Sequence, residues 1–367
     1  MSPSIAEVAT AQTQTERQKK RVVRRSAPDG SQRLRRGVQL AFVALNAWIG
    51  LQFFLWVRSF EPGGPRLMVS RPAGVEGWLP IAGLMNLKYF AVTGRVPGIH
   101  PAAMILLMAF LLMSLLLKKA FCSWLCPVGT LSEYLWKLGR RLFGRNFAVP
   151  RWLDYGLRSL KYILLGLFAA VIVYMSAEAL HDFMAGPYGI IADVKMLDFF
   201  RGIGWVGISV LVALAGLSLF IRNFWCRYLC PDGALMGLVS LVSPVKVRRD
   251  ADACIDCGKC AKACPAQLKV DELVQIRSVE CSACLACVAA CPVDNGLQFA
   301  LPARQASEPA ARWRTRGLRP GTVAVVLAAI FFGAVLVARM TNHWQTYVPR
   351  HVYQQLVPNA DAVSHPM

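Results

Sequence analysis

Much of what an ordinary hydrolase or kinase would carry is missing from this sequence. It has no evident nucleophile–base arrangement and no phosphate-cradling glycine loop, so any chemistry must belong to bound cofactors. Acidic residues are scarce: 21 Asp and Glu stand against 41 Lys and Arg, a net charge of +20. Such an imbalance suits nucleic acid or a membrane, and the placement of the charge decides between them. No cysteine is spare. All 12 fall in four clusters, which excludes a disulfide framework and points to reduced, metal-ligating thiols in a reducing compartment. Polar surface is short as well, because 55% of the residues are hydrophobic, above the roughly 45–50% of a soluble domain.

What is present centres on residues 254–265, CIDCGKCAKACP, and 281–292, CSACLACVAACP. Both have the spacing C-x2-C-x2-C-x3-C-P, the run of two-cluster bacterial ferredoxins. Three cysteines at i, i+3 and i+6 let one tight loop take three corners of a cubane, and the fourth crosses to the other cubane. The spacing therefore predicts two [4Fe-4S] clusters. Cluster one would be held by Cys254, Cys257, Cys260 and Cys291, and cluster two by Cys281, Cys284, Cys287 and Cys264. Gly258, Ala261, Ala263, Ser282, Ala283 and Ala286 are small enough for backbone amides to approach the sulfides. Zinc, the alternative, takes two C-x2-C pairs and needs neither a third cysteine at i+6 nor a closing proline.

Residues 1–36 are polar and basic without apolar periodicity and read as a disordered arm. Arg24-Arg25 is not read as an export signal, because SAPDG follows and the apolar stretch begins too far on. Five apolar runs, at 38–57, 101–117, 157–177, 203–221 and 320–338, approach the length that crosses a bilayer. Lys and Arg number nine in 1–36, five in 58–100, nine in 118–161, two in 178–201, fourteen in 222–319 and two in 339–367. The alternation predicts five spans with the N-terminus and ferredoxin segment in the cytoplasm and the tail outside. It explains the basic charge without nucleic acid.

Two further cysteine pairs sit at the cytoplasmic ends of spans. Residues 121–131 read FCSWLCPVGTL and residues 225–235 read WCRYLCPDGAL, placing Cys122 and Cys126 against Cys226 and Cys230 at an offset of 104. Upstream, 81–90 (IAGLMNLKYF) resembles 191–200 (IADVKMLDFF) at an offset of 110. Two halves running in the same direction should be related by a pseudo-two-fold axis along the membrane normal, gathering the four CxxxCP cysteines at the cytoplasmic face.

Paired CxxxCP motifs followed by a two-cluster ferredoxin resemble the NapH/CcoG/NosR-type membrane polyferredoxins. The resemblance rests on WLPIAGLMNLKY, LLLKKAFCSWLCPVGTLSE, DVKMLDFF and CIDCGKCAKACP. It implies electron transfer through a bacterial inner (cytoplasmic) membrane. The expected fold class is a multi-span α-helical membrane protein with five transmembrane helices, a duplicated two-helix unit, and a cytoplasmic α+β two-cluster ferredoxin domain. Its parts are a basic disordered cytoplasmic arm (1–37), a four-helix membrane domain with both CxxxCP motifs (38–243), the 2[4Fe-4S] ferredoxin domain (244–302), a basic linker (303–319), the fifth helix (320–338) and a periplasmic tail (339–367).

Cysteines at i and i+4 share a helix face. Cys122, Cys126, Cys226 and Cys230 could hold a third metal or iron–sulfur centre. They could instead form a redox or metal-handling thiol site, the cupric-reductase reading that CcoG-type relatives imply, or be small buried residues at helix ends. A quinol donor would need a proton acceptor near the outer face, for which Lys88, His100, His181, Asp182 and Asp193 are candidates, with residues 78–90 and 186–200 as walls. Beyond His100 and His181 nothing in the sequence offers haem ligands, and no haem is expected. His343, His351 and His365 read as solvated. Lys259, Lys262 and Lys269 should raise the cluster potentials, because reduction adds negative charge. The expected function is electron transfer between a membrane quinol or periplasmic partner and the cytoplasmic cubanes. The alternatives are a cupric reductase or assembly factor for a respiratory metalloenzyme, and a membrane subunit that docks a soluble redox partner protein.

Overall fold

The computed structural model describes Arg25 and residues 29–63, 69–302 and 317–365. Residues 1–24, most of the expected arm, and 303–316 of the expected linker lie outside the described residues. Prolines open many of the helices: Pro80 begins α2 (Pro80–Thr93), Pro101 α3 (Pro101–Leu117), Pro127 α5 (Pro127–Phe143), Pro231 α11 (Pro231–Val239) and Pro320 α14 (Pro320–Met340). A first-turn proline loses no hydrogen bond and its fixed φ suits the helix. The remaining helices are α1 (Ser31–Arg58), α4 (Ala120–Trp124), α6 (Arg151–Tyr174), α7 (Ala177–Ala185), α8 (Pro187–Ile190), α9 (Ala192–Arg201), α10 (Trp205–Phe220), α12 (Lys259–Ala263), α13 (Ala286–Ala290) and α15 (Arg350–Leu356).

Among the described residues three helices, α1, α6 and α14, are long and apolar enough to cross a membrane. The α9–α10 pair passes the same test only as one span bent by 85°. Helix α3 has 17 residues, about 26 Å at 1.5 Å per residue against a hydrocarbon core of about 30 Å. It is also the most enclosed of the apolar helices, with Ala102, Met104, Leu106 and Met113 all buried among neighbours. Helix α10 is the reverse, with Ser218 its one buried residue. The expected equivalence of the second and fourth spans therefore breaks down in packing: α14 and α11 cover α3, whereas α10 rests mainly on α5.

Two boundaries differ from the sequence expectation. Helix α1 starts at Ser31 rather than near residue 38, with Gly30 at the N-cap position and Asp29 Oδ1, just before it, accepting from Ser31 N at 2.7 Å. Residues 31–37 of the expected disordered arm are thus helical. Helix α6 ends at Tyr174, where Ser176 takes over as the cap of α7, its hydroxyl accepting from Ala179 N at 3.1 Å.

The cytoplasm-expected end carries an antiparallel pair, β1 (Lys246–Arg249) and β2 (Leu297–Ala300), with Val247 opposite Phe299. Both are buried in the cluster that also takes in Val270, Ile276, Cys264 and Cys287, and it runs on into Met113, Leu117 and Trp124 of the helical part. One continuous core joins ferredoxin and helices. At the other end the C-terminal segment folds back as a cap: Tyr353 of α15, Val357 at its C-cap and Ala360 just beyond pack on Phe53, Trp56 and Ile191.

Candidate functional site

The two ferredoxin loops share a backbone. Asp256 and Gly258 flank Cys257 in the left-handed region, and Ala283 and Leu285 flank Cys284 likewise. Such positions are costly for residues with side chains, and they persist where a site demands a particular loop. The structure brings Cys264, Cys281, Cys284 and Cys287 around one cavity walled by Leu268 and Ile276. Cys291 stands in the electrostatic field of Cys254 and Cys257, and Cys260 in that of Cys291. The two sets differ in exposure: Cys264, Cys281 and Cys287 are buried, while Cys257 is exposed. Burial pushes the Cys264 thiol up to about 12. Among the described residues no three His, Cys, Asp or Glu side chains stand close enough to hold a single metal ion.

The CxxxCP cysteines also gather. Cys126 lies near Cys226 and Cys230, and Cys226 near Cys230 and Cys122. The two chain segments approach them in the same way. Cys126 and Cys230 are the N-caps of α5 and α11, and each sulfur accepts from a glycine amide three residues on, Gly129 N at 3.5 Å and Gly233 N at 3.3 Å. Helix N-termini favour negative charge at such a sulfur. A Cβ on Gly129 would come within 2.1 Å of the Cys122 carbonyl oxygen, so only glycine lets the two cysteines of that motif come this close. Met236 brings a thioether to 3.8 Å from Cys122 Sγ. Burial pushes the Cys126 and Cys226 thiols up to about 12. Reactive thiol sites lower that value, whereas a metal deprotonates a coordinating thiol outright.

Between this quartet and the ferredoxin loops runs a dense polar seam. Ser123 Oγ donates to Ser282 O at 2.6 Å and Trp124 Nε1 to Ala283 O at 3.1 Å, so the peptide between Cys122 and Cys126 is tied to the peptide between Cys281 and Cys284. Lys161, buried on α6, pairs with Glu280 at 2.6 Å, next to Cys281. Lys118 Nζ donates to Ser278 O at 3.1 Å. Lys119 is buried beside Cys122, Cys226, Cys230 and Glu280. Burial opposes its charge, but these neighbours outweigh that and hold its pKa above the ordinary value.

At the opposite end the expected proton acceptors divide. His100 and Asp193, both buried, meet in a network with Arg71, Glu76 and Thr346, three residues that sequence reading missed. Arg71 donates to Glu76 Oε1 at 2.8 Å and to Asp193 Oδ2 at 2.6 Å, and Thr346 donates to Glu76 Oε1 at 2.6 Å. His100 Nδ1 lies 3.2 Å from both Arg71 Nη2 and Glu76 Oε1, and its Nε2 is 2.8 Å from Gly189 O. A neutral Nδ1 would accept from Arg71, and a protonated one donates to Glu76. The protonated form is the balanced one, because two carboxylates then face one guanidinium and one imidazolium. Burial would raise Glu76, yet Arg71 and His100 hold it at about 2; burial would lower His100, yet Glu76 and Asp193 raise it. His181 and Asp182 are exposed instead, His181 lying against Tyr89. The two histidines considered for haem thus do not converge. Lys88 donates to the carbonyls of Ile172, Val173 and Met175 at the end of α6. His365 rests on the Phe183 and Tyr188 rings rather than standing free. Lys269 pairs with Glu272 at 2.7 Å, whereas Lys259 and Lys262 are exposed.

A family model described as "4Fe-4S binding domain" matches this chain twice, over residues 99–146 and 203–249, each copy spanning one CxxxCP motif. A second, "4Fe-4S dicluster domain", matches residues 246–292. YccM of Escherichia coli, whose name points to electron transport, is 51% identical over 90% of this chain and 91% of its own length. The regulatory protein NosR of Pseudomonas aeruginosa is 34% identical over 50% of this chain and 25% of its own. The ferredoxin-type protein NapH of Haemophilus influenzae is 30% identical over 47% of this chain and 60% of its own. No solved structure matches. With apolar helices long enough to span a bilayer, iron–sulfur domains and a relative alike over nearly its whole length, the chain belongs to the polyferredoxin family that includes YccM, NosR and NapH.

Proposed function

We propose that the protein carries electrons between the membrane and two [4Fe-4S] clusters through a third, membrane-proximal centre. Cys254, Cys257, Cys260 and Cys291 would hold cluster one, Cys281, Cys284, Cys287 and Cys264 cluster two, and Cys122, Cys126, Cys226 and Cys230 the third. When bound, these groups accept and donate single electrons. The observation that carries the reading is the seam: the loop between Cys122 and Cys126 is hydrogen-bonded to the loop between Cys281 and Cys284. A centre on the first pair therefore sits beside cluster two, and the exposed Cys257 puts cluster one where a soluble partner can reach it. The family model described as a 4Fe-4S binding domain, matched once around each CxxxCP motif, supports the third centre and the duplicated half.

The chain's own residues hold and insulate the centres. Cysteine-capped helices aim amides at the sulfurs of Cys126 and Cys230, and the ferredoxin core keeps water from Cys264 and Cys287. With a quinol as donor, its protons would leave at the outer end, beside the ion-paired network of Asp193, Glu76 and His100. The inner-membrane setting, five spans and cytoplasmic ferredoxin belong to the same reading, supported by the Lys and Arg alternation.

Met236 favours one second reading. A thioether beside thiols is a soft donor set that selects Cu(I), as a cupric reductase or assembly factor would need. Iron and acid-labile sulfide per chain decide between them, measured on anaerobically purified wild type and on the variant with Cys122, Cys126, Cys226 and Cys230 all changed to Ser. Wild type should carry about 12 of each and the variant about 8. About 8 in both would sink the third cluster and direct attention to copper binding.

A further inference from the structure

The two repeated halves hold the ferredoxin lobe by equivalent residues. At the offset of 104, Ser123 corresponds to Arg227 and Trp124 to Tyr228. Ser123 Oγ donates to Ser282 O at 2.6 Å, one residue after Cys281. Arg227, buried, donates from Nη1 to Ala266 O at 2.9 Å, two residues after Cys264. In each CxxxCP motif, then, the residue after the first cysteine grips a segment that presents a ligand assigned to cluster two.

Arg227 is itself held. Its Nε and Nη2 donate to Asp154 Oδ1 and Oδ2, both at 2.9 Å, and Tyr228 Oη donates to Oδ1 at 2.7 Å. A two-pronged pair of this kind fixes the orientation of the guanidinium as well as its place, so the remaining nitrogen, Nη1, is aimed at Ala266 O. Asp154 belongs to α6, whose buried residues are Asp154, Lys161 and Ile172. Asp154 and Lys161 stand seven positions apart and share a helix face. Lys161 reaches Glu280, the neighbour of Cys281, at 2.6 Å. One face of α6 therefore fastens both segments that carry cluster-two ligands, the Cys281 side directly and the Cys264 side through Arg227.

We propose that Arg227 is a positioning residue for cluster two: it carries the hold of α6, through Asp154, to the carbonyl of Ala266 and so fixes the segment that presents Cys264. The inference rests on the reading that Cys264 completes cluster two. Hydrogen bonds to the sulfurs and exposure to solvent set the potential of such a cluster. A segment released from Arg227 therefore changes cluster two and leaves cluster one as it was.

The test is a dithionite redox titration of the full-length protein in detergent, followed by electron paramagnetic resonance, with iron counted on each sample. Cys264→Ser identifies the cubane that Cys264 serves, as the one whose signal and midpoint change. Arg227→Met removes the fork without stranding a carboxylate, because Asp154 keeps Arg158 at 2.5 Å and the Tyr228 hydroxyl. It should shift the one-electron equilibrium of that same cubane at least tenfold toward the oxidised form, about 59 mV, since a buried cation goes together with the grip. The other cubane should not move. Arg227→Lys keeps the charge but cannot reproduce the fork, and it should shift the same cubane in the same direction. A wild-type midpoint in Arg227→Lys beside a shifted one in Arg227→Met would mean that charge alone acts, and would overturn the positioning. If Arg227→Met loses its iron, Asp154→Asn, which loosens the fork and leaves Arg227 in place, carries the test with the same expected shift. Full iron and an unchanged midpoint in the informative variant also overturn it. The underlying assignment fails separately: if Cys264→Ser alters neither cubane, Cys264 is not a ligand, whereas if it alters one and the Arg227 variants alter only the other, the ligand stands and the positioning falls.

Discussion

At the residue scale, the outer network makes the sharpest claim. Arg71 is 8% exposed and faces two carboxylates that are wholly enclosed. Replacing it with Met strands Glu76 and Asp193, and removing one partner of a buried ion group costs about 3–5 kcal/mol. The pH dependence follows from the signs. Glu76 is depressed to about 2, so its contribution is present above the unfolded value of about 4.3 and fades as pH falls toward 2. His100 is raised, so its contribution is full below about 6.5 and fades as pH climbs through its folded value. The two overlap most fully in the mildly acidic range. Thermal unfolding in detergent across pH should show a maximum there for wild type, and for Arg71→Met a lower curve whose acid limb begins at higher pH. Coincident curves would mean that the network is not an ionic unit. This group also marks how far residues could be read in advance. The ferredoxin cysteines announce themselves by local spacing, and the quartet by repetition. Arg71, Glu76 and Thr346 have neither: Thr346 lies 270 positions from Glu76, and only burial turns ordinary charged residues into a site. Lys119 and Glu280 were missed for the same reason.

At the element scale, glycine sets helix spacing. A Cβ on Gly139 of α5 would lie 1.8 Å from the Leu219 carbonyl oxygen of α10. Asn146 and Phe147 then bind the end of that helix, Phe147 N donating to Phe220 O at 2.9 Å. Because α10 buries little else, this crossing is its main hold on the protein. Gly139→Ala must push the helices apart, and overpacking of this kind costs roughly 1–3 kcal/mol. The expected readout is a lower unfolding temperature and faster proteolysis at residues 201–205, while the iron content of the ferredoxin lobe is kept; unchanged proteolysis would show that α10 is anchored elsewhere. The helices themselves were legible, since apolar runs and opening prolines mark them. Their unequal burial was not. Helices α3 and α10 are both apolar throughout, and hydropathy cannot tell a helix wrapped by protein from one facing lipid. The C-terminal cap carried a signal, Tyr353, Val357 and Ala360 at helical spacing, but three residues in a short segment are too few to separate a docked turn from a solvated tail.

At the scale of the whole molecule, the helices join two unlike ends. Helices α1 and α14 both leave the ferredoxin end, α1 near Ser123 and Cys284 and α14 from the Leu318–Phe299 hydrogen bond. Both arrive at the cap, where Trp56 meets Tyr353 and Ala338 packs with Trp344. Helix α3 runs the other way, from His100 to Lys118. The ends also differ in charge, with fourteen Lys and Arg in 222–319 against two in 339–367. Basic segments stay on the cytoplasmic side, so the ferredoxin end should lie inside and the cap outside. Reporters fused after residue 367 of the full chain test this. Alkaline phosphatase, active only outside the cytoplasm, should be active there, and a green fluorescent protein should be dark. The reverse pattern would put the cap inside. Because α14 joins the two ends, the ferredoxin end would then lie outside. The sidedness of the tail therefore decides on which side of the membrane the ferredoxin end would meet a soluble partner.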